Sequence, residues 1–336
     1  MPPRSRGVTS IDVAKAAGVS QTTVSRILNG HTGVSERVQA KVADAIDRLG
    51  YRPNLSARSL VTSRTQTVGV VLGDLTNSYY AELLHTMSGE LNSGGYRTLI
   101  LSDHAGSVED LRTTLWETNV DGVIVATTLL SPEREARIVS LGVPSVTLGR
   151  DPAEGVDSIT PDNFTGGRIA AGHLVDLGHR RIGVVAGPTS AGSVRDRHSG
   201  FLAELADRGV EFDESLMRVA DLDYDRARDA ARELMSLPVA PTALFCHNDP
   251  SALGALNAAV ALGKRVPDDI SVLGFDDIAM SSWDAFRLTT VRQPIHDMAA
   301  GAVELILDRI AHPDRDAQHV TLPCTLIERT TTAALR

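Results

Sequence analysis

The sequence predicts a small all-helical head, a short hinge segment and a much larger α/β unit built on two doubly wound parallel sheets. Three observations predict this class. The first 50 residues contain three short amphipathic helical patterns, whereas residues 65–336 alternate strand-like and helical runs. The 336 residues have a net charge of −9, but residues 1–64 alone carry +6 and the remainder −15. A basic head on an acidic body indicates a partner with negative charge for the head.

The first helix is predicted to begin after Thr9, because Asp12 stands three residues later in a capping-box position. Its apolar residues are small, and Gly18 is expected to end it. Ser20 is expected to cap a second helix, which extends from Gln21 to Asn29.

The second helix has two unlike faces. At 100° per residue, Val24, Ile27 and Leu28 fall on one face. The opposite face has only hydrogen-bonding side chains and no acid: Gln21, Thr22, Ser25, Arg26 and Asn29. Such a face suits the major groove of DNA, where Arg pairs with guanine and Gln or Asn with adenine. The alternative is an ordinary solvated helix face.

A third helix is predicted to start at Ser35 and to end at Gly50. Its expected buried stripe is formed by Val38, Val42, Ile46 and Leu49. Two short helices around a glycine-containing turn, followed by a covering third helix, are typical of a helix-turn-helix head.

The body is predicted from continuous Val/Ile/Leu runs, as expected for strands covered on both faces. The predicted strands are Thr67–Leu72, Thr98–Leu101, Gly122–Ala126, Ser145–Leu148, Arg181–Ala186, Thr242–Cys246 and Ser271–Phe275. Helical segments between them include Ala81–Ser93, Gly166–Leu177, Ser199–Asp207 and Pro250–Leu262. This length exceeds one doubly wound unit and predicts two, with a cleft between them.

Composition and motifs argue against several other classes. The sequence contains no run of about 18 apolar residues, the length that predicts a membrane span. No apolar signal region follows Met1, so a cytoplasmic protein is expected. Cys246 and Cys324 stand in apolar runs and are expected to be buried thiols. We find no zinc-ligand spacing, nucleophile elbow, phosphate-binding loop or dinucleotide fingerprint, and expect neither a metal nor a cofactor.

The run from Thr9 to Asn29 closely resembles the signature of the lactose/galactose-repressor (LacI/GalR) family. The similarity continues through Val34-Ser35-Glu36 and Leu49-Gly50-Tyr51-Arg52-Pro53-Asn54, and covers nearly the whole chain. The resemblance implies DNA contacts at Thr9, Ser20, Gln21, Thr22, Thr23, Ser25, Arg26, Asn29, Tyr51, Asn54, Ala57, Arg58 and Leu60.

Residues 51–64 are too few for a stable isolated helix and, taken alone, suit a plain linker. The resemblance implies instead a hinge helix that folds on DNA, where Leu60 enters the minor groove as a wedge that bends the duplex. It also implies that residues 1–50 form the DNA-binding head.

For the body, the resemblance implies an architecture similar to periplasmic sugar-binding proteins. One effector-binding subdomain would comprise residues 65–161 plus 293–322, and the other residues 162–292 plus 323–336. The positions that match effector contacts of the family are Asp74, Tyr79, Tyr80, Phe164, Arg197, Asn248 and Asp276.

Several of these residues have structural alternatives. For Asp249 and Asp277, also at strand ends, helix capping is the alternative to effector contact, and for Tyr79 it is core packing. Phe164 and Trp283 fit either a pocket or the core, while His247 fits a strand-end histidine better than a ligand group.

The expected function is a repressor of sugar-uptake or catabolism genes. Its expected partners are a pseudo-palindromic double-stranded operator, a second copy of the chain, and a sugar or sugar derivative, with a purine-like effector as the alternative. Residues 330–336 hold no leucine heptad, so a dimer is expected rather than a tethered tetramer. An enzyme and a sugar-transport protein are the other hypotheses, and the sequence leaves open whether the effector releases or promotes DNA binding.

Overall fold

The computed structural model describes residues 8–28, 33–51, 64–102, 108–127, 130–150 and 154–335. The chain divides into two compact units, residues 1–65 and residues 66–336. The first unit contains the head, for which residues 1–50 are predicted, and the second unit is termed the body.

The described head has three helices, α1 (Ser10–Ala17), α2 (Gln21–Leu28) and α3 (Glu36–Leu49). The expected capping box is confirmed: Asp12 N donates to Thr9 Oγ1 at 3.4 Å, and Thr9 N donates to Asp12 Oδ2 at 2.9 Å. Gly18 and Gly50 end α1 and α3 in the left-handed conformation that glycine adopts without strain.

The core of the head is small and receives one fully buried valine from each helix: Val13, Val24 and Val42. Of the predicted α3 stripe, Val42 is fully buried and the other three residues are half-buried; Ala45, which was not predicted, is also buried. Each buried valine contributes about 1.5–3 kcal/mol, so a few side chains fix the angle at which α2 is presented.

The described residues of the body form two six-stranded sheets. The first consists, in spatial order, of β11 (His319–Leu322), β5 (Asp157–Pro161), β4 (Ser145–Leu148), β3 (Gly122–Val125), β1 (Thr67–Leu72) and β2 (Arg97–Ser102). All its neighbouring strands are parallel. With helices α4 (Ser78–Ser93), α5 (Val108–Thr118), α6 (Pro132–Val139) and α11 (Ile295–Ala311), it forms the N-subdomain.

The second sheet consists of β12 (Thr325–Ile327), β10 (Thr289–Arg292), β9 (Ser271–Asp276), β8 (Ala243–Cys246), β6 (Ile182–Ala186) and β7 (Met217–Val219). With α7 (Asn163–Asp176), α8 (Gly192–Asp207), α9 (Tyr224–Met235) and α10 (Asp249–Ala261), it forms the C-subdomain. Short 3₁₀ turns occur at Glu214–Leu216 and Ala279–Ser282.

The expectation of parallel sheets is correct except for β12, which is antiparallel to β10. The chain leaves the C-subdomain at the end of β10, and it returns from the N-subdomain into β12. Strands β10 and β12 therefore run antiparallel at this edge of the second sheet.

Three crossing segments, residues 162–163, 293–294 and 323–324, connect the described parts of the subdomains, and Asn163 in the first is also the first residue of α7. The first segment is joined to the end of β11, directly before the third, since Asp162 N donates to Leu322 O at 2.8 Å. Both predicted buried thiols are confirmed, and burial raises the pKa of Cys324 to about 12. Within the ranges that the structure describes, no helix is long and apolar enough to cross a membrane.

Candidate functional site

The outer face of α2 is the candidate DNA-reading surface. Gln21, Thr22, Ser25 and Arg26 are exposed, whereas Val24 is fully buried on the opposite side. The α2 segment has no acidic residue in its first turn and has Arg26 in its last. The helix thus presents neutral and positive hydrogen-bonding groups without a carboxylate to repel phosphate.

Other predicted DNA contacts have roles inside the head. The Thr9 hydroxyl donates to Asp12 Oδ2 at 2.7 Å, and the hydroxyls of Ser20 and Thr23 lie 2.8 Å apart. Tyr51 is half-buried against the core of the head. Five further predicted contacts lie outside the described residues: Asn29, Asn54, Ala57, Arg58 and Leu60.

The second candidate site is a cavity between the subdomains, where the carboxyl ends of the strands meet. It is lined by Asn77, Tyr79, Tyr80, Gly149, Ser193, Val194, Arg197, Leu222, Asn248, Asp276 and Gln293. Five of the seven predicted effector contacts belong to this lining: Tyr79, Tyr80, Arg197, Asn248 and Asp276. The structure places these five side chains around one cavity. Their contact with an effector stays a prediction.

Arg197 provides the cavity with a buried cation and is only 5% exposed. Its Nη1 donates to the main-chain oxygen of His247, and its Nη2 donates to Asn163 Oδ1 at 2.9 Å. The guanidinium carbon lies 3.4 Å from the ring centroid of Phe275. Arg197 Nε is buried and makes no hydrogen bond in the structure, so the group retains donor capacity.

The position of Arg197 depends on glycine. A Cβ atom at Gly167 on α7 would overlap the main-chain oxygen of Arg197, and one at Gly200 on α8 would overlap the main-chain oxygen of Phe164. Backbone therefore packs directly on backbone between α7 and α8. Gly167, in the predicted helical segment Gly166–Leu177, therefore has a packing role.

Asp276 ends β9 and faces Arg197, with Oδ1 of Asp276 4.0 Å from Nη1 of Arg197. It is 4% exposed and has a φ of 124°, a conformation that L residues rarely adopt. Burial raises the pKa of Asp276 to about 8; Arg197 opposes this shift and the nearby Asp249 carboxyl adds to it.

Two amides of the lining, Gln293 and Asn248, bind other groups of the cavity wall. Gln293 Nε2 donates to Asp276 Oδ1 at 2.5 Å, and Tyr79 OH donates to Gln293 Oε1 at 3.4 Å. Asn248 caps α10, because its Oδ1 accepts from Ser251 N at 3.0 Å while its Nδ2 donates to the main-chain oxygen of Leu222 at 3.1 Å. Leu222 has a φ of 62° and is held at the cavity wall by this bond.

Two predicted effector contacts lie outside the cavity lining. Asp74 is exposed, and its Oδ1 accepts from Thr76 N at 2.9 Å. Phe164 is 44% exposed, so it does not fill the core either. Trp283 is 54% exposed and stacks on Phe286, so neither of its two expected environments, pocket or core, is the one observed.

Three other residues have contacts that bear on their alternative roles. Asp249 is not a helix cap: it is fully buried and accepts from Ser281 Oγ and Thr290 Oγ1, both at 2.6 Å. Asp277 is not a cap either, because it forms ion pairs with Arg292 and Arg329. The interpretation of His247 as a strand-end histidine is confirmed, since its Nδ1 accepts from Gly187 N at 3.3 Å.

The sequence argument missed several lining residues, of which Gln293 and Ser193 are polar and deeply buried. Gln293 directly follows β10 at a predicted crossing, so its position at a strand end was the available signal. Leu222 had no such signal, because its place depends on a loop conformation. Among the described residues, no cluster of His, Cys, Asp or Glu is arranged to hold a metal ion.

Two family models match separate parts of the chain. Residues 11–54 match the family model for bacterial regulatory proteins of the lacI family, and residues 171–332 match that of a periplasmic binding protein-like domain. The ribose operon repressor of Escherichia coli (strain K12) is 34% identical over 323 residues, which cover 95% of this chain and 98% of that protein.

Solved structures agree over the same length. The lac repressor dimer bound to operator and the anti-inducer ONPF has a TM-score of 0.86 at 29% identity, covering 98% of this chain and 100% of that one. The transcriptional regulator CelR in complex with cellobiose has a TM-score of 0.74 at 32% identity, covering 96% and 99%. With its helix-turn-helix head and two periplasmic-binding-protein-like subdomains, the chain belongs to the LacI family of bacterial transcriptional regulators.

Proposed function

We propose that the protein is a repressor that binds a specific operator as a dimer, and that a small hydroxylated molecule in the cavity controls this binding. The observation that carries the proposal is the combination, in one chain, of an acid-free outer face on α2 and a cavity with a buried Arg197 and Asp276. A sugar-transport protein needs no such helix, and a DNA-binding protein without an effector needs no such cavity.

On the DNA side, α2 enters the major groove of each half-site, and Gln21, Ser25, Arg26 and Asn29 read base edges. Residues 51–64 act as the hinge, with Leu60 as a wedge in the minor groove between the half-sites. Thr9, Ser20, Thr22, Thr23, Tyr51, Asn54, Ala57 and Arg58 position the head on the duplex.

Two copies are needed because one head covers only half of a site, and a two-fold dimer matches a pseudo-palindromic operator. Support comes from the related lac repressor, which was solved as a dimer on operator. The proposed domains are the head 1–50, the hinge 51–64, and the two effector-binding subdomains with the boundaries given by the sequence.

On the effector side, the cavity offers a guanidinium donor, a carboxyl group, three amides and two phenols within one narrow space. These groups suit adjacent hydroxyls, each of which donates one hydrogen bond and accepts another. Complexes of related regulators contain cellobiose or ribose, which supports a sugar. A purine-like ligand, with Tyr79 or Tyr80 beside its ring, is the alternative.

The cavity lacks the arrangement of an active site, since its carboxyl and guanidinium groups are held by hydrogen bonds and no nucleophile is paired with a base. We therefore propose a regulator rather than an enzyme, acting in the cytoplasm where operator DNA is found.

The test has two arms on the full chain. Operator sequences are selected from a randomised duplex pool, and melting of the chain is measured with sugars, sugar phosphates and nucleobases. We expect a palindromic consensus, and one compound that raises the melting temperature of wild type but not of Asp276→Asn. Selection of no consensus refutes operator binding. A flat response to every class refutes effector control without affecting the DNA claim.

A further inference from the structure

The two charged side chains of the cavity are each hydrogen-bonded to a crossing segment. Arg197 Nη2 donates to Oδ1 of Asn163 in the first crossing segment at 2.9 Å. Gln293, in the second crossing segment, donates its Nε2 to Asp276 Oδ1 at 2.5 Å. Since Arg197 and Asp276 lie 4.0 Å apart, the four side chains form a polar chain from one crossing segment to the other.

This polar chain continues into the N-subdomain. Tyr79, near the start of α4, donates its hydroxyl to Gln293 Oε1 at 3.4 Å. Gln293 therefore contacts one subdomain through its amide oxygen and the other through its amide nitrogen. The Asn163 amide nitrogen lies 3.4 Å from the main-chain oxygen of Pro161, the last residue of β5 in the N-subdomain.

All members of the polar chain are deeply buried. The exposed fractions are 7% for Tyr79, 6% for Asn163 and Gln293, 5% for Arg197 and 4% for Asp276. Water has little access to replace a lost partner, so each bond constrains geometry more strongly than it would at the surface.

We propose that Asn163 and Gln293 are positioning residues that make the arrangement of the two subdomains depend on the state of Arg197 and Asp276. Rotation of one subdomain against the other must occur about the crossing segments, because they are the covalent connections. A group that draws Arg197 or Asp276 away changes the hydrogen bond that each makes to its crossing segment. The inference deepens the proposed function, since the effector is the molecule expected to do this.

The hydrogen bond from Arg197 to Asn163 is not the only contact that fixes the Arg197 side chain. Arg197 is also held by the main-chain oxygen of His247 and by the ring of Phe275. Removal of the Asn163 oxygen leaves these contacts in place, so the expected consequence is a changed arrangement of subdomains rather than loss of the fold.

The experiment measures the distance between the subdomains in the full, ligand-free chain. Nitroxides are attached at Glu90→Cys on α4 and Asp229→Cys on α9, both exposed, whereas the native cysteines are buried. Labelled chain is mixed with excess unlabelled chain, so that distances within one copy dominate. Asn163→Leu and Gln293→Met each remove one link, and Asn163→Asp restores the oxygen that accepts from Arg197. Asn257→Ala, which removes a bond to Tyr224 within the C-subdomain, is the matched control.

We expect the distance distribution to shift in Asn163→Leu and Gln293→Met, and to match wild type in Asn163→Asp and Asn257→Ala. Unchanged distributions in both link variants overturn the inference. So does an Asn163→Asp distribution that follows Asn163→Leu, because side-chain packing and not the oxygen would then be responsible.

A second measurement separates this inference from the proposed function. Affinity for a duplex selected by the wild-type chain should change by about fivefold or more in the two link variants, a typical size for coupling between sites. Shifted distances with unchanged DNA affinity would retain the positioning role and refute its use in controlling DNA binding.

Discussion

The most quantitative prediction concerns Asp157, the first residue of β5. Its carboxylate is fully buried and accepts five hydrogen bonds within the described chain, two from Arg309, two from Arg315 and one from Gln318 N, over distances of 2.7–3.0 Å. Burial alone raises the pKa of Asp157, but the hydrogen bonds outweigh it and lower the pKa from 3.8 to about 2. This carboxylate ties β5, which leads to the first crossing segment, to the loop before β11, which leads to the third.

The size of the effect follows from the pKa. A reduction from 3.8 to about 2 corresponds to roughly 2 kcal/mol of stability for the ionised form. Because the folded-state pKa is the lower one, this stability is complete above about pH 5 and is lost as the pH falls towards 2. Asp157→Asn also removes the carboxylate that pairs with the buried Arg309, at a cost of about 3–5 kcal/mol, whereas Arg315 keeps its pair with Asp308.

Urea unfolding followed by circular dichroism provides the measurement, with midpoint and slope compared at pH 7 and pH 3. Asp308→Asn is the matched control, because Asp308 pairs with the same Arg315 but is 40% exposed, and its pair is worth about 0–1 kcal/mol. The reasoning is refuted if Asp157→Asn costs no more than Asp308→Asn at pH 7. It also fails if wild type and Asp157→Asn lose equal stability between the two pH values.

Three further outcomes are expected. Arg26→Ala should weaken operator binding by about 1–3 kcal/mol and relax one base position in a competition assay; equal losses on operator and random duplex would make Arg26 a phosphate contact only. Leu60→Gly should reduce operator affinity and the bend angle together in a gel-phasing assay, and an unchanged bend would exclude the wedge. Burial raises the folded-state pKa of Asp276 to about 8, so wild type should lose stability as the pH rises from about 4 to 8; Asp276→Asn should flatten this dependence, and an identical pH profile would contradict it.

The sequence predicted those features that depend on local pattern. The Thr9–Asp12 capping box and the fully buried Val24 follow from spacing alone, and both are as predicted. The seven predicted strands agree with observed strands to within one residue at each end, because buried parallel strands are continuous apolar runs. Asp276 and Asn248 were named from the family resemblance, and both lie at the carboxyl ends of such strands, where the cavity is.

Features that depend on partners distant in the chain were not predicted. Strand β5 has the sequence Asp157-Ser158-Ile159-Thr160-Pro161, in which one residue is strongly apolar, and it becomes a strand through pairing with β4 and β11. From sequence alone, Asp157 resembles an ordinary surface acid. In the structure it is bound by Arg309 and Arg315, about 150 residues later in the chain. Gly167 and Gly200 are likewise required only because the backbones of α7 and α8 pack directly against each other.

The pair formed by Arg197 and Asp276 explains why such a cavity suits control. At 4.0 Å and an effective dielectric constant of about 20, opposite unit charges attract by roughly 4 kcal/mol, while burial costs several kcal/mol for each ion. Burial therefore outweighs the attraction, as the raised pKa of Asp276 also indicates. A ligand hydroxyl that inserts between the groups, accepting from Arg197 and donating to Asp276, supplies hydrogen bonds to a buried pair whose own attraction does not offset its burial. A few hydrogen bonds are then enough to change which geometry is favoured, and Asn163 and Gln293 connect that geometry to the crossing segments.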